Sequence, residues 1–295
     1  MTDVTVADPD EHLGLPGWVY SNSGFFAAER ERVLAPSWQV VCHLNDIPSV
    51  GDFHTFEFIG ESILVVRGRD GVPRAFSNVC LHRAATLLDG PAGQCGRIVC
   101  PYHAWTYDLE GRLVGVPLCE TYLDLRLDER RLPPIELEVF KGFIFVRLEG
   151  GGPSVAEMMA PYADELEPYR FEALQPSGRM TLRTRTVNWK AIGDNYSDGL
   201  HITVAHPGLA RLFGRGYGFE AAPWVDKMWG RLRGEPSDNV SERAYQALLP
   251  DVEHLPVERK RLWAYYKLWP NIAFDVYPDQ VDFIQWISRF RRRRL

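Results

Sequence analysis

Long apolar runs are missing from this chain. Nowhere in its 295 residues is there the stretch of roughly 18 or more apolar residues that a membrane-crossing helix needs. Cysteine is scarce, with five residues, an odd number, which argues against a disulfide-stapled secreted scaffold and for a reducing compartment. The opening MTDVTVADPDEHLG lacks the basic and apolar character of a secretory signal, so the expected location is cytoplasmic. Internal repeats and low-complexity tracts are absent except at the end, Arg289-Phe290-Arg291-Arg292-Arg293-Arg294-Leu295. That tail holds five of the 33 basic residues and no acid, while the whole chain carries −6. An acidic body makes nucleic acid an unexpected partner. What remains is an ordinary globular composition, 45% hydrophobic and 24% charged, long enough for two domains with cores of their own.

Two short motifs carry the chemistry. Cys80-Leu81-His82 and Cys100-Pro101-Tyr102-His103 each offer one thiolate and one imidazole. Replacing two thiolates by neutral imidazoles on one iron raises the reduction potential of a [2Fe–2S] centre. Structural zinc is the alternative, since Cys₂His₂ is also a zinc set. Zinc modules usually pair Cys with Cys and His with His, whereas both halves here are mixed. Cys42, in the apolar run from Trp38, reads as a small buried hydrophobe. Cys95 and Cys119 have no matching partners.

CLHRAA and CPYHAWTYDLEGRLVGVP resemble the two ligand loops of a Rieske ferredoxin domain of the oxygenase subtype. They contain no bracing disulfide cysteines of the respiratory type. Ala84 stands where the oxygenase pattern usually has glycine, and a methyl group there crowds a tight turn. A second signature follows at Asp194-Asn195-Tyr196-Ser197-Asp198-Gly199-Leu200-His201-Ile202-Thr203-Val204-Ala205-His206. Asp198 lies one helical turn before His201, so the two can share a face. Alone, two histidines at this spacing are a weak signal. The stretch from Asn188-Trp189-Lys190 through His206 resembles the active-site segment of the Rieske non-haem iron oxygenases, large (α) subunit.

That resemblance implies a [2Fe–2S] cluster held by Cys80, His82, Cys100 and His103, and a mononuclear Fe(II) held by His201 and His206. It makes Asp198 a bridge, not a ligand, joining a Rieske histidine (His103) of one subunit to an iron-bound histidine of its neighbour. Tyr102 matches a position beside the cluster and Asn195 one near the iron. Electrons would come from NAD(P)H through a separate reductase, with a ferredoxin as a possible intermediary. A homo-oligomer, a trimer, is expected, with or without a β subunit. The implied reaction is insertion of oxygen from O₂ into a hydrophobic or aromatic substrate. Oxygenation or demethylation of a quaternary ammonium or methoxy compound is the alternative. From another class, the chain could be a Rieske electron carrier with an inactive second domain.

The expected fold is α+β, an antiparallel β Rieske domain beside a helix-grip catalytic domain. Boundaries are drawn at 1–36 for an N-terminal helical arm, 37–149 for the Rieske domain and 150–295 for an incomplete catalytic domain, with a linker over Glu149–Pro153. Ser23 is the expected cap of the arm helix. Arg69-Asp70-Gly71 reads as a hairpin turn, Val155–Tyr169 as a helix and Arg179–Val187 as a strand. Leu209, Leu212, Phe213, Trp224, Trp229, Phe274 and Phe283 are expected to line the substrate pocket. The carboxylate of an iron-binding facial triad has no motif here. Asp275, Asp279 and Asp282 are available, and the ligand is expected beyond residue 295 of a truncated α subunit.

Overall fold

The structure, a computed structural model, describes residues 14–178 and 181–288. The arginine tail lies outside the described residues.

The chain begins with an arm. A 3₁₀ turn, Gly17–Tyr20, leads into helix α1, Ser23–Glu29, which tightens into a π-helical turn at Arg30–Leu34. The cap is Asn22, not Ser23: its side chain accepts the Phe25 N–H.

The first β unit contains strands β1 (Gln39–His43), β2 (Asp52–Phe58), β3 (Glu61–Arg67), β4 (Pro73–Ser77) and β5 (Ala92–Gln94). It continues with β6 (Ile98–Val99), β7 (Thr106–Tyr107), β8 (Leu113–Gly115), β9 (Pro134–Phe140) and β10 (Phe143–Arg147). Seven of them form one sheet in the order β1-β10-β9-β4-β3-β2-β5, and β6-β7-β8 form a small second sheet. Every pairing is antiparallel. The β3–β4 hairpin turns at Asp70-Gly71, with Gly71 at φ +79°, the conformation that favours glycine there. Apolar residues on alternating positions of β2 to β4 pack with Leu87, Ile98, Trp105, Tyr107 and Leu132, and Cys80 and Cys100 sit in that same core.

Beyond Gly150–Pro153 the chain enters α2 (Val155–Met159), capped by Ser154 and Glu157 in a reciprocal box, then α3 (Ala163–Leu166). Pro161 and Pro168 break this stretch into short helical pieces, because proline cannot donate to the helix ladder. Residues 181–188 form no strand; 181–187 are exposed and pair with no described strand, and Arg179 and Met180 of the expected strand lie outside the described residues.

Helices α4 (Trp189–Ser197), α5 (Ile202–Ala205) and α6 (Pro207–Phe213) precede a five-stranded antiparallel meander: β11 (Tyr217–Ala221), β12 (Val225–Arg231), β13 (Leu262–Leu268), β14 (Ile272–Val276) and β15 (Val281–Gln285). Helix α7 (Val240–Leu248) lies in the β12–β13 connection. Strand register sorts the sheet into two faces. Tyr266, Leu268, Phe274 and Val276 face β10 and α2, joining Phe143, Phe145, Met158 and Met159 in the largest core. Trp263, Tyr265, Lys267 and Asp275 face α4 and α6 on the other side. Gly230 lets α6 settle on that face, since a Cβ there would meet the Phe213 ring at 2.5 Å. No described helix is long and apolar enough to cross a membrane.

The expected pocket residues do not come together. Leu209, Leu212 and Phe213 pack under α6 with Leu232 and Leu249. Trp229, Phe274 and Phe283 belong to the opposite face, whose packing leaves a cavity of only about 10 Å³. Trp224 is exposed.

Candidate metal centres

The two cysteine–histidine loops are local copies of one another. In the first, Cys80 N–H donates to Ala85 O at 2.8 Å and Ala84 N–H returns to Cys80 O at 3.0 Å. In the second, Cys100 N–H donates to Trp105 O at 2.8 Å and Ala104 N–H returns to Cys100 O at 3.0 Å. Ala84 and Ala104 both adopt left-handed backbone, φ +54° and +57°. The turn that calls for glycine is therefore built on alanine twice, and the sequence pointed only to the first.

Each loop aims its ligand-type side chains at one place. Cys80 and Cys100 are each 3% exposed, and the His82 and His103 rings are 4.7 Å apart. Burial pushes the Cys80 thiol up, and the Cys100 sulfur beside it adds to that rise. All five cysteines are free thiols. His82 Nδ1 is buried with no hydrogen-bond partner. An unsatisfied buried nitrogen among two thiols and a second imidazole is the donor set of a mixed-ligand [2Fe–2S] cluster. Among the described residues no three His, Cys, Asp or Glu side chains gather as a single ion needs. Two thiols and two imidazoles, one of each from either loop, suit a pair of metals with two protein ligands each.

Four residues that no sequence motif singled out for a role support this place. Asn78, 1% exposed, donates from Nδ2 to Leu88 O at 2.8 Å and accepts the Leu88 N–H at 3.0 Å, closing the first loop. Tyr107 Oη accepts the Leu81 N–H at 3.1 Å and lies 3.5 Å from Cys80 Sγ. Trp105 stacks on His82 at 4.9 Å with planes 4° apart, and Tyr122 meets His82 edge-on at 5.9 Å. Tyr102, expected beside the cluster, has its ring 3.8 Å from that of His103 and is 62% exposed.

The second centre grows from α4. Asn188 caps it by accepting the Lys190 N–H, and the helix ends at Ser197. Asp198 is extended (φ −78°, ψ 112°), so Asp198 and His201 do not share one continuous helix. They still meet across the turn, with Asp198 Oδ2 3.4 Å from His201 Nδ1. The other Asp198 oxygen accepts the Leu200 N–H at 2.8 Å. His201 and His206 flank α5 at its two ends, which brings their rings to 5.1 Å. His201 Nδ1 is buried and turned towards the Asp198 carboxylate, which leaves the other ring nitrogen for a metal ion short of further ligands. Asn195, expected near the iron, is exposed.

None of the three available aspartates joins the histidines among the described residues. Asp275, on β14, is buried and accepts hydrogen bonds from the Tyr196 and Tyr277 hydroxyls. Burial raises it to about 6, Asp282 opposite adds to the rise, and the two hydroxyls oppose it. Asp279 lies in the β14–β15 turn, and Asp282 is exposed.

Long-range contacts hold α4 against the arm. Lys190 Nζ donates to both Glu29 oxygens at 2.7 and 3.0 Å, with both side chains buried, and Tyr20 Oη donates to Asp194 at 2.6 Å.

These two centres, one on antiparallel β loops and one on helices against a sheet, have the arrangement expected of an iron–sulfur protein with a second metal-binding domain. Residues 37–136 match the Rieske [2Fe-2S] domain, and residues 165–288 match the ring hydroxylating alpha subunit catalytic domain. The chain is 37% identical over 230 residues to the carnitine monooxygenase oxygenase subunit of Escherichia coli (strain K12), covering 77% of this chain and 59% of that protein. It is 31% identical over 202 residues to the glycine betaine monooxygenase oxygenase subunit of Pseudomonas aeruginosa (strain UCBPP-PA14), covering 68% and 47%. The crystal structure of the quaternary ammonium Rieske monooxygenase CntA with L-carnitine superposes at TM-score 0.74 and 27% identity, covering 90% of this chain and 69% of that one. The chain belongs to the Rieske non-haem iron oxygenases, as a large (α) subunit. It spans a little over half the length of the carnitine relative.

Proposed function

We propose that this chain is the oxygenase component of a Rieske system acting on a quaternary ammonium compound. In this reading Cys80, His82, Cys100 and His103 hold the cluster, and His201 and His206 hold the mononuclear iron. The observation that carries it is the meeting of two thiols and two imidazoles in copied loops, with a second histidine pair beside a carboxylate. When bound, the cluster passes single electrons and the iron activates O₂.

The protein's own part is orientation. Asp198 stands beside His201 at 3.4 Å, and its geometry suits a carboxylate that aligns an imidazole while linking it onward. In a ring-shaped homotrimer it would face His103 of the partner subunit. Tyr102, exposed beside His103, would lie on that path. A reductase, directly or through a ferredoxin, would supply electrons from NAD(P)H in the cytoplasm.

The substrate class rests on the relatives' quaternary ammonium substrates and on the sheet face under α4. Trp263 packs 4.9 Å from Tyr277 and 5.5 Å from Tyr245, and Tyr265 lies 6.3 Å from Tyr277. Tyr217 lies against Gly199, between Asp198 and His201. Aromatic faces attract a desolvated cation, and the nearby Asp275 carboxylate adds to that attraction. Ring hydroxylation of an aromatic substrate is the second reading, favoured by the match to the ring hydroxylating catalytic domain.

The test is O₂ uptake by the iron-loaded chain with a reductase, against carnitine, glycine betaine and an aromatic hydrocarbon. Coupled uptake with a trimethylammonium compound supports the proposal, and uptake with the hydrocarbon alone assigns ring hydroxylation. No uptake, with iron confined to the cluster, contradicts oxygenase activity of this chain.

A further inference from the structure

A three-group polar cluster outside both centres ties the end of α4 to the sheet. Asp226 on β12 and Lys267 on β13 stand opposite in register, with Lys267 Nζ 3.2 Å from Asp226 Oδ2. Ser197, the last residue of α4, sits between them. Its hydroxyl donates to Asp226 Oδ2 at 2.8 Å and accepts from Lys267 Nζ at 2.8 Å. Both charged side chains are largely buried, 26% and 12% exposed.

Asp226 and Lys267 would satisfy each other without the serine, so the hydroxyl's distinctive effect is on the helix. Serine is a middling helix former and contributes little to α4 by propensity. A helix end is free to fray or extend by a residue unless something fixes it. One residue more or less would turn the next side chain by about 100° and move it about 1.5 Å along the axis. The next side chain is Asp198. Earlier parts of α4 have their own anchors, Lys190 on Glu29, Asp194 on Tyr20 and Tyr196 on Asp275. Ser197 is the last residue of the helix before the chain turns into Asp198 and His201.

We propose that Ser197 is a positioning residue: held by the Asp226–Lys267 pair, it fixes where α4 ends and thereby the placement of Asp198 and His201. This rests on the reading of His201 and His206 as iron ligands, and two separate readouts keep the two ideas apart. Ser197→Ala leaves the cross-strand ion pair in place and removes one oxygen. Hydrogen–deuterium exchange over residues 194–206 of the full chain needs no iron in the second site. It covers the amides of Asp198 and Ile202, which now bond to Asp194 O and Gly199 O.

The expected result is faster exchange in that segment of the alanine variant, with the melting temperature within about 3 °C of the parent. Fe(II) affinity at the second site should fall about tenfold, the scale of losing a group that orients a ligand. Ser197→Thr, which restores the hydroxyl, should restore both. Unchanged exchange in Ser197→Ala overturns the proposal, as does an effect that threonine leaves uncorrected. A parent chain that takes up no second-site iron contradicts the reading of the histidine pair, while the exchange measurement still decides the anchor.

Discussion

Ala84 and Ala104 occupy equivalent places in two copies of one loop. Each follows a buried cysteine by four residues, returns its N–H to that cysteine's carbonyl at 3.0 Å, and holds φ above +50°. A methyl group in left-handed backbone costs about 1–2 kcal/mol, and glycine's extra freedom in the unfolded chain returns about 0.4–1 of it. Ala84→Gly and Ala104→Gly should therefore each stabilise the protein by about 0.5–1 kcal/mol. Chemical denaturation of the two variants checks this, and a loss of stability in both would show that the loops are not strained.

Tyr107 should tune the cluster. Its oxygen already accepts the Leu81 N–H, which leaves its proton free for Cys80 Sγ at 3.5 Å. A donor to a ligand sulfur favours the more negative, reduced state. Tyr107→Phe should lower the reduction potential by on the order of 50 mV, a little under the one-electron tenfold step. A redox titration followed by electron paramagnetic resonance reads it, and a potential unchanged in the variant removes the hydrogen bond from the account.

Asp275 makes stability depend on pH in a predictable sense. Burial raises it from 3.8 to about 6, so between those values the folded protein binds more protons than the unfolded chain. Stability from this group is full below about pH 4 and falls as pH rises through about 6. The loss amounts to roughly 2–3 kcal/mol. Asp275→Asn should gain stability relative to the parent as pH goes from 4 to 7, in paired thermal melts. A difference that stays constant over that range would contradict the assignment.

Much of this was legible in the residues. The mixed cysteine–histidine spacing marked the loops, Asp70-Gly71 marked the β3–β4 hairpin, and Asn188-Trp189-Lys190 marked the start of α4. What failed depended on partners distant in sequence. Residues 181–187 alternate like a strand but find no ladder neighbour among the described residues. Phe213 and Phe274 are equally apolar, yet α6 and β14 place them on opposite sides of one sheet. Nothing local links Glu29 to Lys190, 161 positions apart, or Ser197 to Lys267. Tyr107 was hidden because a tyrosine in a short strand reads as core until the fold brings its hydroxyl to a sulfur.

Asp198 offers a test of the link between the centres. Asp198→Asn keeps the size of the side chain and removes the charge beside His201. An amide orients imidazoles less well than a carboxylate, so electron delivery from cluster to iron should slow by about 10-fold or more while both sites stay loaded. Single-turnover kinetics reads the rate, and an unchanged rate would remove Asp198 from the path.

The central claim is that Cys80, His82, Cys100 and His103 hold a [2Fe–2S] cluster with both imidazoles on one iron. Electron paramagnetic resonance of the reduced chain, with metal analysis on the same sample, tests it most directly. The account predicts a Rieske-type signal with nitrogen couplings from two histidines, lost in His82→Cys and His103→Cys. A colourless protein carrying one zinc per chain and giving no signal on reduction would contradict it.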